Sequence, residues 1–135
     1  MPPPDGEGPA ELLLRKAGDD LTVVEKMVDG KGYPVEIIGF HAQQCCEKAF
    51  KSVLSRGGIR HPYTHDLLAL IDLMRDGSID VPEWVEEAVR FTPFAVVYRY
   101  EDLDLGDVPD LEQVRVLAWQ VHRWAASIVN PTREI

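Results

Sequence analysis

Cysteine is scarce in this sequence, and its two cysteines, Cys45 and Cys46, are adjacent. Two neighbouring cysteines cannot build the framework of bridges that small secreted domains use in place of a large core. The disulfide-rich class is therefore excluded, and we expect the chain to work in a reducing compartment. At 135 residues it is long enough to bury a core of its own as one domain.

Positive charge is also in short supply. Lysine and arginine together number 14 against 23 acidic residues, which gives a formal net charge of -9 at neutral pH. Proteins that bind nucleic acid non-specifically need a broad basic face, so this charge balance excludes that mode of binding. Any contact with a nucleotide or RNA must come from a local basic patch on an acidic body.

Long apolar runs are missing as well. No apolar segment approaches the ~20 residues that a membrane-spanning helix needs. The opening MPPPDGEGPAE has neither the basic start nor the apolar stretch of a signal peptide. We therefore expect a cytoplasmic protein without membrane contact. The proline, glycine and acidic residues of positions 1–9 predict a disordered N-terminal tail.

The sequence has no alternation of apolar and polar residues of useful length, so it predicts no strands. Apolar residues instead recur every three or four positions, which predicts helices over about 10–28, 33–56, 64–75, 83–100 and 111–129. These segments predict an all-α fold, an up-and-down helical bundle of about five helices. They form one domain over residues 10–131.

Capping residues set the expected starts of the later helices. Thr64 is the predicted N-cap of the third helix. The tetrapeptides DVPE (80–83) and DVPD (107–110) each place an aspartate cap before a proline, with an acid three residues after the cap. Pro93 is expected to kink or split the fourth segment.

The stretch FHAQQCCEKAF, residues 40–50, gathers reactive side chains on the second predicted helix. At about 100° per residue both cysteines fall on its apolar arc, so we expect them to pack in the core rather than act as nucleophiles. The apolar arc consists of Ile38, Ala42, Cys45, Cys46, Ala49, Phe50 and Val53. Because the chain has no second cysteine pair and no histidines at ligand spacing, we expect no metal site and no cofactor.

The opposite arc of this helix is polar and holds His41, Gln44, Glu47, Lys48, Lys51 and Ser52. His41, Gln44 and Lys48 lie one turn apart, so their side chains form a ridge. In one interpretation the arc is solvated and Glu47 forms an ordinary ion pair with Lys51. In the other, the ridge is a contact surface for a nucleotide or a partner protein.

A basic-aromatic cluster follows in RGGIRHPYTH, residues 56–65, with Arg56, Arg60, His61, Tyr63 and His65. It lies just before a predicted helix N-terminus, which is a favourable place for a phosphate group. The alternative is a loop whose basic side chains stay solvated.

The order of AGDDLTVVEKMV, FHAQQCCEKAFKSVL, HPYTHDLLALI and RYED resembles the HEPN family, the nucleotide-binding domains of higher eukaryotes and prokaryotes. The likeness covers residues 12–124, and its strongest part is FHAQQ-x-x-EKA-x-K followed by THDL at Thr64–Leu67. The resemblance implies a small helical bundle that forms homodimers. It also implies a minimal nucleotidyltransferase encoded nearby, since several such pairs behave as toxin–antitoxin systems.

Some members of the family are metal-independent RNases with an R-x4-6-H motif. Arg99 stands roughly where the motif arginine is expected, but no histidine follows it within the window. Arg115 and His122 fit R-x6-H in the last helix and are the candidate catalytic pair. Such a pair would supply a base for the 2′-hydroxyl and a cation for the developing phosphate charge.

Three functions therefore stay open. The first is a HEPN-type protein that is not itself catalytic, binds a nucleotide and acts with a minimal nucleotidyltransferase in a toxin–antitoxin-like pair. The second is a metal-independent RNase toxin acting as a homodimer, and the third is a dimeric interaction module without a ligand. The candidate residues for binding a nucleotide or partner are His41, Gln44, Lys48, Arg60, His61, His65, Arg99 and Tyr100.

Overall fold

The computed structural model describes residues 7–97 and 110–131. Its helices are α1 (Pro9–Gly30), α2 (Val35–Arg56), α3 (Leu67–Asp76), a 3₁₀ helix (Glu83–Phe91), α4 (Phe94–Val97) and α5 (Leu111–Val129). No strand occurs in these two ranges, and the predicted all-α bundle is confirmed. The predicted N-terminal tail lies mostly outside the described residues. Gly8 is the N-cap of α1.

Three long helices form the body of the bundle. Only four residues, 31–34, join α1 to α2, and Lys31 and Gly32 take the positive φ values of 59° and 83° within this tight reversal. α5 is antiparallel to α1, because Arg115 near its start contacts Asp29 near the end of α1 while His122, further along, contacts Leu14. None of the described helices combines the length and apolar character needed to cross a membrane.

α2 is the central helix, since the other four α-helices and the 3₁₀ helix all pack against it. The seven residues of its predicted apolar arc are each at most 1% exposed, so that prediction is confirmed. The placement of Glu47 and Ser52 on a solvated arc is wrong, because both are buried. The reason is that helices pack around α2 on more than one side, which leaves little of its circumference in water.

A close approach between α2 and α4 depends on Gly39. The buried ring of Phe94 lies against the α2 backbone there, and a methyl group added to Gly39 would overlap the ring. Glycine costs a helix interior about 1 kcal/mol relative to alanine, and this contact explains its presence. Pro93 lies in the turn that separates the 3₁₀ helix from α4, as predicted.

The helix starts differ from the predicted caps. Asp66, and not Thr64, caps α3 by accepting hydrogen bonds from the N–H groups of Leu68 and Ala69, while Thr64 Oγ1 accepts from Asp66 N–H. The 3₁₀ helix begins after Pro82 without a side-chain cap, so Asp80 does not serve as one. α5 is capped by Asp110, the last residue of DVPD, because its carboxylate accepts from Glu112 N–H; Asp107 lies outside the described residues.

Candidate functional site

Two separate hydrogen-bonded networks of polar side chains lie along α2, one reaching α1 and the other reaching the loop before α3. We call the two together the polar strip, and its members are Asp20, His41, Gln43, Gln44, Glu47, Lys48, Lys51 and His65. Four of the eight, His41, Gln44, Lys48 and His65, are among the residues that the sequence predicted for binding. The structure divides these four between the two networks, with His41 and Lys48 on Asp20 and with Gln44 and His65 in the network of Glu47.

At the α1 end of the polar strip, Asp20 holds two basic side chains of α2. One carboxylate oxygen is 3.0 Å from His41 Nδ1, and the other is 2.6 Å from Lys48 Nζ. The Asp20 side chain is only 12% exposed, so water competes little for these contacts. The imidazole and the ammonium group are therefore fixed side by side, and each remains partly exposed.

At the other end, Glu47 has the same arrangement with a different pair. Its carboxylate is 2.7 Å from His65 Nδ1 and accepts from Lys51 Nζ at 2.8 Å and from Gln43 Nε2 at 2.9 Å. Burial raises the pKa of Glu47, but the hydrogen bonds from Lys51, Gln43 and His65 outweigh it, so the pKa lies below its ordinary value. The buried carboxylate is therefore charged at neutral pH.

Two glutamines complete the network around Glu47. Gln43 is fully buried, and its amide N–H₂ donates both to Glu47 and to the main-chain oxygen of His65, at 3.1 Å. Its amide oxygen accepts from Gln44 Nε2 at 2.7 Å. In the described part of the chain, no buried side-chain nitrogen or oxygen lacks a partner. The network is thus complete without a ligand, which holds its exposed edge in a defined geometry.

The two histidines of the polar strip present the same atom to a ligand. A carboxylate lies against Nδ1 of His41 and of His65, so Nδ1 carries the proton in the neutral ring and Nε2 is a free acceptor. Among the described residues, neither Nε2 makes a hydrogen bond. Because both rings are partly exposed, each can accept a hydrogen bond from a ligand's hydroxyl or amino group.

An exposed aromatic ring stands beside this edge. Tyr63, in the loop before α3, is 95% exposed, with Lys51 Nζ 5.8 Å from its ring centroid and the His65 ring 5.9 Å away. His61 lies in the same loop, and burial together with the charge of Lys51 lowers its pKa. An open ring flanked by a cation and an imidazole is a platform on which a base can stack.

One further predicted binding residue, Arg60, lies outside the polar strip. Arg60 is exposed, makes no hydrogen bond or ion pair among the described residues, and lines a groove with Arg56. Arg99 and Tyr100 lie outside the described residues.

The candidate catalytic pair, Arg115 and His122, contacts two separate parts of α1. Arg115 pairs with Asp29 at 2.7 Å and with Glu112. His122 Nε2 is 3.3 Å from the main-chain oxygen of Leu14, and burial lowers the pKa of its ring. Seven residues of helix separate the two, about 10 Å along the axis. These contacts hold the side chains apart rather than around one point.

Four members of the polar strip were not among the predicted binding residues: Asp20, Gln43, Glu47 and Lys51. The signal for Asp20 was a charged residue next to the apolar stripe of α1, between Ala17 and Val24, which are both fully buried. Glu47 and Gln43 carried no comparable signal, because their partner His65 lies 18 and 22 positions away in the sequence.

The cysteines beside the polar strip take no part in it. Cys45 and Cys46 are fully buried, and burial raises the pKa of both thiols. We expect neither to react with the thiol reagent DTNB in the native protein, and both to react at once in denaturant. Rapid modification of either thiol by DTNB in the native protein would contradict the burial described here. No cluster of three or more metal-binding side chains was found in the described residues.

Comparison with known proteins gives two matches. The model of the family described as "HEPN domain" matches residues 10–128. A protein of Methanocaldococcus jannaschii named "Putative toxin MJ1304" is 40% identical over 50 residues, which is 37% of this chain and 32% of that protein. The matched region thus spans about a third of the relative's length. No solved structure matches the chain significantly.

Proposed function

Since the chain belongs to the HEPN domain family, we propose that it is the HEPN component of a toxin–antitoxin-like pair and that its polar strip binds a nucleotide. In this proposal the chain binds and positions the nucleotide and is not itself the catalyst. Its partner is a minimal nucleotidyltransferase, which would use the nucleotide. The chain acts as a homodimer in the cytoplasm.

One observation carries the nucleotide part of the proposal: His41, Gln44, Lys48 and His65 are held in the two networks of the polar strip, and the open ring of Tyr63 lies beside its His65 end. A nucleotide offers a flat base, hydroxyl and amino groups, and phosphate. Tyr63 suits the base, and the free Nε2 atoms and the Gln44 amide suit the hydroxyl and amino groups. In a chain of net charge -9 this local combination is unusual.

The toxin part rests on different support. The relative from M. jannaschii bears a toxin name, and the aligned region is a third of its length. A HEPN protein with such a relative fits a toxin–antitoxin-type role, in which two products are made together and one restrains the other. Co-expression with a neighbouring nucleotidyltransferase should yield a complex that survives affinity purification. Recovery of the chain alone from such cells would count against the partnership.

Tyr63→Ala tests the nucleotide site, with ATP as the probe. Stacking of a base on an aromatic ring is worth ~1–3 kcal/mol, so the substitution should weaken ATP binding by about 5- to 150-fold in isothermal titration. Tyr33→Ala is the matched control, because Tyr33 is also exposed but lies in the α1–α2 connection. If Tyr63→Ala and Tyr33→Ala bind ATP with equal affinity, the base does not stack on Tyr63. An absence of any ATP binding to the unmodified chain would favour the interaction module without a ligand.

The alternative function, a metal-independent RNase acting as a homodimer, uses Arg115 and His122. The toxin name of the relative favours it, while the separate contacts of the two side chains with α1 offer it no support. Expression of Arg115→Ala and His122→Ala variants decides between the two. The nucleotide-binding proposal expects any growth arrest caused by the chain to persist in both, and loss of arrest in both would favour the RNase.

A further inference from the structure

A second basic feature lies next to the polar strip but outside it. Arg56, at the end of α2, and Arg60, in the loop that follows, line one groove of about 400 Å³. The other walls come from the start of α1 and from the turn after α2: Pro9, Ala10, Glu11, Ser55, Gly58 and Ile59. Nothing lies within 4 Å of where a side chain at Gly58 would be, so the groove is open at that point.

Neither Arg56 nor Arg60 has a hydrogen-bond or ion-pair partner in residues 7–97 and 110–131, and this sets the two apart. Among the described residues, every other arginine is occupied: Arg15 by Glu7, Arg75 by Glu86, Arg90 by Glu87, Arg115 by Asp29 and Glu112, and Arg123 by the ring of Trp119. Acidic residues outnumber basic ones in this chain, so partners are plentiful. Glu11 lines the groove, but its carboxylate accepts from the main-chain N–H of Gly8. Two guanidinium groups are therefore left free for an external anion.

Phosphate is the anion that this arrangement favours. A guanidinium group donates two parallel hydrogen bonds to phosphate oxygens, and two such groups can neutralise the charge of a phosphate chain. Ser55 lies on the same wall and carries a hydroxyl donor. A small carboxylate would satisfy one arginine, whereas a chain of phosphates can engage both.

The groove lies within reach of the polar strip. Arg60 and Tyr63 are three residues apart in the same loop, so their Cα atoms can be at most about 11 Å apart. A nucleotide whose base rests on Tyr63 can therefore extend its phosphates toward Arg60 and Arg56. The geometry points to a nucleoside triphosphate as the ligand, with its base on Tyr63 and its phosphate chain in the Arg56–Arg60 groove. This inference rests on the proposed nucleotide site and adds a phosphate-binding groove that distinguishes a triphosphate from a monophosphate.

The test compares AMP with ATP by isothermal titration on the full chain and on Arg56→Gln/Arg60→Gln. ATP should bind the unmodified chain at least about tenfold more tightly than AMP, because the single phosphate of AMP does not reach the Arg56–Arg60 groove. The double variant should lose that preference for ATP while keeping its affinity for AMP. Arg15→Gln/Arg90→Gln is the matched control, since both of its arginines are exposed and already paired, and it should retain the preference for ATP.

Each other outcome overturns the inference in a recognisable way. Equal affinities for AMP and ATP in the unmodified chain would remove the role of the groove and leave the nucleotide site of Tyr63 standing. If neither nucleotide binds, the proposed function fails, and tripolyphosphate is the deciding probe for the groove. Tripolyphosphate binding that depends on the two arginines would retain the phosphate site, and its absence would remove it. If binding of a single-stranded oligonucleotide depends on the two arginines and binding of ATP does not, the phosphates in the groove belong to a nucleic-acid strand.

Discussion

Replacing Glu47 with alanine is expected to lower the free energy of unfolding by about 2–4 kcal/mol. The carboxylate is 6% exposed and accepts hydrogen bonds from three side chains on two elements. Its removal leaves the ammonium group of Lys51, itself 11% exposed, without a counter-charge. It also removes the contact of α2 with the His65 ring, so that of these two bonds only the one from Gln43 to the His65 main chain remains. Denaturation in guanidinium chloride, followed by circular dichroism, measures the change.

Glu87→Ala is the matched control for that substitution. Glu87 also forms an ion pair on its own helix, with Arg90 at 2.8 Å, but both side chains are about half exposed. An exposed pair of this kind contributes at most about 1 kcal/mol, so the control should cost far less than Glu47→Ala. Similar losses of unfolding free energy in the two variants would show that the buried contacts of Glu47 stabilise the fold no more than an exposed ion pair does.

The pH dependence of stability gives an independent check on Glu47. Its pKa is lower in the folded chain than in the unfolded chain, where a glutamate titrates near ~4.3. The contribution of the charged carboxylate is therefore fully present above that pH and is lost as the pH falls through the folded pKa. The difference in unfolding free energy between the unmodified chain and Glu47→Gln should be constant above about pH 5 and shrink below it. A difference that persists into strong acid would contradict the assignment.

Gly39→Ala should destabilise the fold by about 1–3 kcal/mol, although alanine is the better helix former. The added methyl group would overlap the ring of Phe94, so either the ring or the whole of α4 has to move. The same substitution made in a Phe94→Ala background should have the opposite sign and stabilise by up to about 1 kcal/mol, because the obstacle is gone. The reversal amounts to a coupling energy of roughly 1–4 kcal/mol between two residues that are 55 positions apart.

Chemical denaturation of the four proteins measures this coupling. α4 has four residues and lies at the edge of the bundle, so Phe94→Ala is expected to leave the three long helices folded. Loss of stability from Gly39→Ala in both backgrounds would mean that the glycine is needed for a reason other than the contact with Phe94.

Local sequence patterns were sufficient to predict the helices, and they were insufficient for the pairings between them. The apolar arc of α2 was predicted residue by residue, because periodicity along one helix is a local property. The same pattern placed Glu47 in water, and the structure buries it, because His65 and Gln43 meet it from positions that no local pattern connects. The cap of α3 was misplaced by two residues because Thr64 and Asp66 are both good capping residues, and only the path of the loop selects Asp66.

In the candidate site, too, local sequence patterns predicted some features, and others depended on how the helices pack. The ridge of His41, Gln44 and Lys48 followed from helical spacing alone, whereas the attachment of His41 and Lys48 to Asp20 required the packing of α1 against α2. His65 was predicted within a separate basic-aromatic cluster, and the structure joins it to Gln44 through Glu47 and Gln43. Arg60 belonged to the same predicted cluster and lies instead on the neighbouring groove. The residue types were thus readable from the sequence, and their grouping required the fold.

The central claim, that the polar strip binds a nucleotide, is tested most directly by histidine-selective NMR during titration with ATP. The chain has four histidines, and they report on different surfaces. Saturation with ATP should shift the side-chain resonances of His41 and His65 and leave those of His122 unchanged, since His122 contacts the main chain of α1 on another face. Unmoved resonances of His41 and His65 at saturating ATP, or a response confined to His122, would contradict the account.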